Sequence, residues 1–127
     1  IGRRKPLHST AIGKVLLAHM TPSKARALLD LQPLKIFTPQ TLNTVEAVMQ
    51  ILPRVWKLGL AEDNEEAEPG LRCIAVPVFD RFGKVVAALS ISFPTMRCEA
   101  DTPERYIALL KAASQSISAR LGWRPAD

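Results

Sequence analysis

Two apolar runs, Leu71–Phe79 and Lys84–Phe93, flank the tetrapeptide Asp80-Arg81-Phe82-Gly83. Runs rich in β-branched residues on either side of a short loop ending in glycine read as an antiparallel hairpin. That feature commits the chain to a sheet and sorts alternate residues onto opposite faces. With Asp80–Gly83 as the loop, Phe79 pairs with Lys84, Cys73 faces Ser90 and Leu71 faces Ser92. One face then carries Ile74, Val76, Val78, Val85, Ala87, Leu89, Ile91 and Phe93, all apolar, and must be core. The other carries Leu71, Cys73, Ala75, Pro77, Val86, Ala88, Ser90 and Ser92. Small side chains leave room there, and Cys73, Ser90 and Ser92 converge at one end, the composition of a pocket floor. A helix packed tightly on that face, with the serines bonded to backbone, is the competing reading.

The flanking segments are helical. Ser9 and Thr10 can cap a helix running to about Met20, with Ile12, Val15, Leu16 and His19 on one stripe. Gly13 inside it costs about 1 kcal/mol relative to alanine, which points to close backbone approach by a strand or a ligand. Thr21-Pro22 starts a second helix, to about Leu31, that buries Ala25, Leu28 and Leu29. Residues 33–42 form a loop with a short extended stretch at Lys35–Phe37. Asn43-Thr44-Val45-Glu46 has the spacing of a capping box for a long helix with Val45, Val48, Met49, Leu52, Val55 and Trp56 as its apolar face, ended by Gly59. Pro53 should kink it. Leu60–Asp63 is a short strand. Thr102-Pro103 opens a last helix to about Leu121, with Ile107, Leu110, Ser114 and Ile117 on one stripe and Gly122 as its stop.

A chain of 127 residues, 47% hydrophobic and 23% charged, fits a single domain with a core that is mainly aliphatic, since aromatics are only 6%. No apolar run approaches the ~20 residues of a membrane span. Arg3, Arg4 and Lys5 lead into a polar turn, unlike a signal peptide. Cys73 and Cys98 form neither a disulfide framework nor a zinc pattern, which suits a reduced, cytoplasmic protein. Five of the twelve acids, Glu62, Asp63, Glu65, Glu66 and Glu68, fall within seven residues, which leaves a basic surplus elsewhere. The basic residues are scattered beyond Arg3-Arg4-Lys5, without interleaved aromatics or a nucleic-acid-binding motif, so a solvated surface is favoured over direct contact with nucleic acid.

Catalytic signals are weak. His8 and His19 are eleven residues apart in the sequence with no metal-ligand spacing around them, and His8 reads as bonding nearby backbone. Cys73 in a strand is ordinarily a small buried hydrophobe, and no base is apparent to activate it. Cys98 is a loop thiol. The acidic run reads as a solvated turn, and no glycine-rich loop is present to cradle a phosphate.

The segment Pro6-Leu7-His8-Ser9-Thr10-Ala11-Ile12-Gly13-Lys14-Val15-Leu16-Leu17-Ala18 resembles the signature of the IclR-type transcriptional regulators in their C-terminal effector-binding domain. Asp63-Asn64-Glu65-Glu66 with Gly70–Asp80, then Ala88-Leu89-Ser90-Ile91-Ser92-Phe93-Pro94, resemble its second and third motifs. Ala112-Ala113, Ile117-Ser118 and Leu121-Gly122 resemble its last helix, so the resemblance covers essentially the whole chain. Gly2-Arg3-Arg4, Glu62–Glu66 and Phe79–Gly83 are most similar to the KdgR-like subgroup, which responds to 2-keto-3-deoxygluconate and governs hexuronate breakdown. Pro53 departs from the pattern.

The resemblance implies an α+β, GAF-like fold, a curved antiparallel sheet flanked by helices with a ligand cavity on one face. Residues 1–127 would be the effector-binding domain, without its first helix and strands, and a winged helix-turn-helix DNA-binding domain would lie outside this chain. Implied effector contacts, carried over residue by residue, fall on Ala11, Ile12, Asp63, Leu71, Cys73, Ser90 and Ser92; Thr10 joins them because helix N-terminal amides bind carboxylates. The implied role is sensing, as a repressor of keto-sugar-acid catabolism genes, with no catalytic residue, metal or cofactor. Implied partners are a small carboxylate or keto-acid effector like 2-keto-3-deoxygluconate, further copies in a homodimer or tetramer, and DNA only through the other domain. An oligomerisation module with a degenerate pocket, or a small enzyme using Cys73, are the alternatives.

Overall fold

The structure, a computed structural model, describes residues 6–125. Three helices come first, α1 (Ala11–Ala18), α2 (Pro22–Asp30) and α3 (Val45–Leu58). Strands β1 (Ala61–Asn64), β2 (Leu71–Phe79) and β3 (Val85–Pro94) follow, then a 3-10 turn at Thr95–Arg97 and α4 (Thr102–Arg120). The strands form one antiparallel sheet with β2 in the centre. The α+β class is therefore as expected, and among the described residues no helix is long and apolar enough to cross a membrane. Arg3-Arg4-Lys5 and the subgroup residues Gly2-Arg3-Arg4 lie outside the described residues.

The sheet is covered on both faces. Ala11 and Val15 of α1 and Val55 of α3 meet Ala61 and Ala75 on one face; Leu110 of α4 meets Ile74, Val76 and Phe93 on the other. A third cluster, Leu17, Ala25, Leu29, Val48 and Leu52, binds the three N-terminal helices to each other. Because α1 sits between the sheet and the other helices, it is buried almost all round, at Ala11, Gly13, Lys14, Val15 and Leu17. The single stripe expected for it was too narrow: Ile12, Leu16 and His19 are only half-buried.

The hairpin forms, but its register differs from the simple count. Phe79 pairs with Val85, and a bulge at the next step makes Val78 pair with Ala87. Asp80 explains the first slip: its N–H bonds the Lys84 carbonyl, and its carboxylate accepts from the Phe82 and Lys84 amides, closing a five-residue loop. The bulge supplies a second slip. Two one-residue slips restore the parity of the faces, so Cys73 lies opposite Ser92, and Ala75 opposite Ser90, still on the small-residue side. The extra residue, Val86, is left 55% exposed.

Past the end of β1, the β2 edge has no strand partner, and α4 takes that place. Ser114 donates to the Pro77 carbonyl at 2.5 Å, and the Phe79 amide donates to the Ser118 hydroxyl at 3.0 Å. Backbone groups alternate sides along a strand, so Pro77 has its missing N–H on this same edge and costs no bond to β3. The inner stripe of α4 is thus Leu110, Ser114 and Ser118, while Ile117 turns outward at 39% exposure. Gly122, at φ 93°, ends α4 in a Schellman pattern, with Trp123 N–H on Ser118 O and Gly122 N–H on Ala119 O.

Two helix readings shift. The cap of α3 is Thr44, which accepts the Ala47 amide at 3.1 Å, so the Asn43 box does not form and Glu46 pairs with Arg26 at 2.6 Å instead. Helix α3 runs on through Pro53, which has no N–H to give to the Met49 carbonyl, and Trp56, expected on its inner face, is 64% exposed. Residues 33–42 hold no strand; Thr38 and Thr41 are buried there.

Candidate functional site

The N-terminus of α1 forms one wall of a cavity of about 180 Å³. Thr10 is extended and caps the helix, accepting the Gly13 amide at 3.1 Å while donating to the Pro6 carbonyl at 2.7 Å. Its hydroxyl proton is therefore already committed within the protein. The first-turn amides of Ala11 and Ile12 remain without an intrahelical acceptor, as geometry requires. Gly13 is explained by the same turn. A Cβ there would lie 2.5 Å from both the Cα and the carbonyl oxygen of Leu7. The close approach is thus to the strap that leads into the helix, neither to a strand nor to a ligand, and that strap brings Pro6 to the cavity wall.

The acidic segment is a built part of the fold and not a solvated turn. Asp63 is 2% exposed and Glu66 8%. Asp63 accepts the Glu66 amide at 2.7 Å, and Glu66 accepts the Asn64 amide at 3.0 Å. Lys14, itself 2% exposed, donates to Glu66 at 2.6 Å and to the Glu62 carbonyl at 2.8 Å. From the other side, Thr38 and Thr41 donate to the Glu65 and Glu66 carbonyls. Burial pushes the Asp63 carboxyl above its ordinary range; the Glu66 amide and Lys14 pull the other way, and the Glu66 charge adds to the rise.

The hairpin supplies the far wall. Cys73 and Ser92, opposite each other, have Sγ and Oγ 2.9 Å apart, and Leu71 and Ser90 lie along the same face. Thr10, Ala11, Ile12, Asp63, Leu71, Cys73, Ser90 and Ser92, the residues singled out from the sequence, all line this one cavity, with Pro6, Ala67 and Glu68. Sequence reasoning passed over Lys14, Thr38 and Thr41, which hold the acidic wall. The signal available was a lysine inside the apolar run Ala11–Ala18, because a cation in a buried helix needs an acid partner.

Other chemistry is sparse. A larger cleft of about 420 Å³ between His19, Trp56, Phe79, Lys111 and Trp123 contains none of the expected site residues. His8 bonds the Lys35 carbonyl at 2.8 Å, backbone as expected but 27 residues away, and stacks on Phe37. His19, whose burial lowers its pKa, lies edge-on to Phe79. Cys98 accepts from Arg72 at 3.2 Å. Among the described residues no group of three His, Cys, Asp or Glu is placed to hold a metal ion.

Comparison with known proteins agrees with this fold. Residues 1–119 match the family described as "Bacterial transcriptional regulator IclR C-terminal". The HTH-type transcriptional regulator KdgR of Escherichia coli K12 is 51% identical over 97% of this chain and 47% of its own length, so the chain spans about half of that relative. The crystal structure of the C-terminal domain of E. coli KdgR superposes with a TM-score of 0.91, covering 97% of this chain and 75% of that one. A double mutant of the PobR inducer-binding domain from Acinetobacter, solved with 3-hydroxybenzoic acid, is 28% identical with a TM-score of 0.86 over 93% of this chain and 68% of that one. With regulators as its relatives, a Cys73-dependent enzyme is set aside. A chain matched nearly end to end by that profile, and half identical to one such regulator, belongs to the C-terminal domain family of the IclR bacterial transcriptional regulators.

Proposed function

We propose that this chain is the effector-binding domain of a cytoplasmic repressor of keto-sugar-acid catabolism. Its effector is a small carboxylate or keto-acid of the 2-keto-3-deoxygluconate type. The observation that carries this reading is the single cavity between the α1 N-terminus, Asp63 and the Cys73–Ser92 wall. Amides of a helix start favour a carboxylate, the serine hydroxyls suit keto and hydroxyl oxygens, and Asp63 can accept from a sugar-acid hydroxyl. The KdgR-like sequence motifs imply a sugar-acid effector, the identity to KdgR supports that subgroup, and a hydroxybenzoic acid in the PobR double mutant is consistent with a carboxylic acid in this fold.

DNA contact, in this reading, belongs to a winged helix-turn-helix domain outside these residues, and the protein works as a homodimer or tetramer. Effector binding alters operator affinity only to the extent that it favours one arrangement of that assembly. Calorimetry of the full-length protein with 2-keto-3-deoxygluconate, pyruvate and glyoxylate tests the proposal. Saturable heat with at least one is expected; a folded protein that binds none refutes it. Replacing Ser90 and Ser92 together by alanine should weaken binding about tenfold or more, by loss of two hydrogen bonds. Unchanged affinity would place the effector elsewhere.

A further inference from the structure

The charge inventory of the cavity has a consequence for how an acid can enter it. Among the described residues its lining holds two carboxylates, Asp63 and Glu68, and no lysine, arginine or histidine. Glu68 is exposed and screened by water, but Asp63 is buried. The cation that the described residues place nearby is Lys14, and it is already held by Glu66 and the Glu62 carbonyl. The α1 N-terminus offers about half a positive charge, against the full negative charge of Asp63 and that of the incoming acid. In a space of about 180 Å³ these two cannot be kept far apart.

We propose that an anionic effector enters this cavity together with one proton, taken from bulk water by the Asp63 carboxylate, so that binding is proton-coupled. This rests on the cavity being the effector site. Among the described residues, the groups around Asp63 leave no other route to neutrality. From α1 comes Lys14, already paired; from the acidic loop come Glu66, equally paired, and Glu68; from β2 comes Cys73; from β3 come only the neutral Ser90 and Ser92. One new O–H bond forms at Asp63 and no covalent bond breaks in the effector. Once protonated, Asp63 can still accept the Glu66 amide at Oδ1 and offers its proton to an effector oxygen. Two acids sharing one proton is the usual outcome when carboxylates are forced together. Burial already favours the neutral form of Asp63 before anything binds.

The sign follows from linkage. Where Asp63 is ionised in the free protein and protonated in the complex, one proton is taken up per effector. Affinity then falls about tenfold per pH unit as pH rises from the value at which the free carboxyl ionises to the higher value at which the bound carboxyl ionises, and levels off above that. Below the value at which the free carboxyl protonates, affinity no longer changes. The test is calorimetry of the full-length protein at one pH in phosphate and in Tris, with whichever of 2-keto-3-deoxygluconate, pyruvate and glyoxylate binds. The two buffers differ in ionisation heat, so proton uptake appears as a buffer-dependent enthalpy. Uptake approaching one proton is expected for the wild type, and none for Asp63→Asn, whose affinity should be nearly flat between pH 6 and 8. Buffer-independent heat with normal binding would overturn the proton coupling while leaving the effector site in place. Absence of any binding would overturn the site itself. Because the wild-type measurement stands alone, a poorly folding Asp63→Asn does not blunt the test.

Discussion

Lys14 and Gly13 are adjacent in α1 and show how single residues set the cavity. Lys14 has 3% of its side chain exposed, and Glu66 has 11%. Removing one partner of a buried pair leaves the other charge uncompensated, at about 3–5 kcal/mol. Lys14→Met should lose that much stability in chemical denaturation, and adding Glu66→Gln should recover part of it. A single variant within 1 kcal/mol of wild type would show that the pair is not what holds the acidic wall. Gly13 carries the opposite lesson. Helix propensity alone predicts that Gly13→Ala gains about 1 kcal/mol. The clash with Leu7 backbone at 2.5 Å cannot be relieved by rotating a side chain, and overpacking of this kind costs about 1–3 kcal/mol. A net loss of stability is expected, with the Pro6 strap displaced; a stabilised variant would contradict the close approach.

At the scale of elements, α4 does the work of a missing strand. Ser118 takes the Phe79 amide, and Ser114 serves the Pro77 carbonyl. Ser118→Ala should cost about 1–2 kcal/mol by leaving a partly buried donor unpaired, and the Phe79 amide should exchange faster in hydrogen-exchange NMR, while the Val76 amide is unaffected. Equal rates at Phe79 would show that the edge does not depend on the helix. The helical period put Ser114 on the inner stripe, where it lies, but put Ile117 there in place of Ser118, because period alone cannot say where a sheet edge will fall. The hairpin was more legible. Alternation of small and large residues assigned most of the faces correctly, though loop counting misplaced the pairing by two residues, since the Asp80 turn and the Val86 bulge arise from local geometry that composition does not reveal. The capping of α1 and α2 by Thr10 and Thr21 was readable because it depends on neighbours in the chain. The Lys14–Glu66 pair spans 52 residues and depends on the fold being complete.

For the whole molecule, what matters is which parts the cavity touches. Helix α1 packs on all three strands and on α3, and its N-terminus is the cavity wall, whereas α4 covers the opposite face of the sheet and contributes no lining residue. An effector present at one hundred times its Kd stabilises the folded state by about 2.7 kcal/mol. Amides that exchange only through global unfolding should therefore slow about a hundredfold wherever they lie. Amides that exchange through local opening should slow only where that opening disrupts the site. The acidic segment 62–68, the first turn of α1 and the Leu71–Cys73 and Ser90–Ser92 stretches meet that condition. The capped end of α4 around Gly122 does not, because it can open while the cavity stays intact. Hydrogen exchange with and without effector should accordingly show protection concentrated in the α1 start, the acidic segment and the hairpin, with the last turn of α4 unchanged. Protection of the α4 end without protection of segment 62–68 would mean that the ligand sits in the His19–Trp56–Trp123 cleft at the C-terminal end of α1, and that the path from effector to the rest of the regulator begins at α4 and not at the helix that Gly13 and Lys14 hold in place.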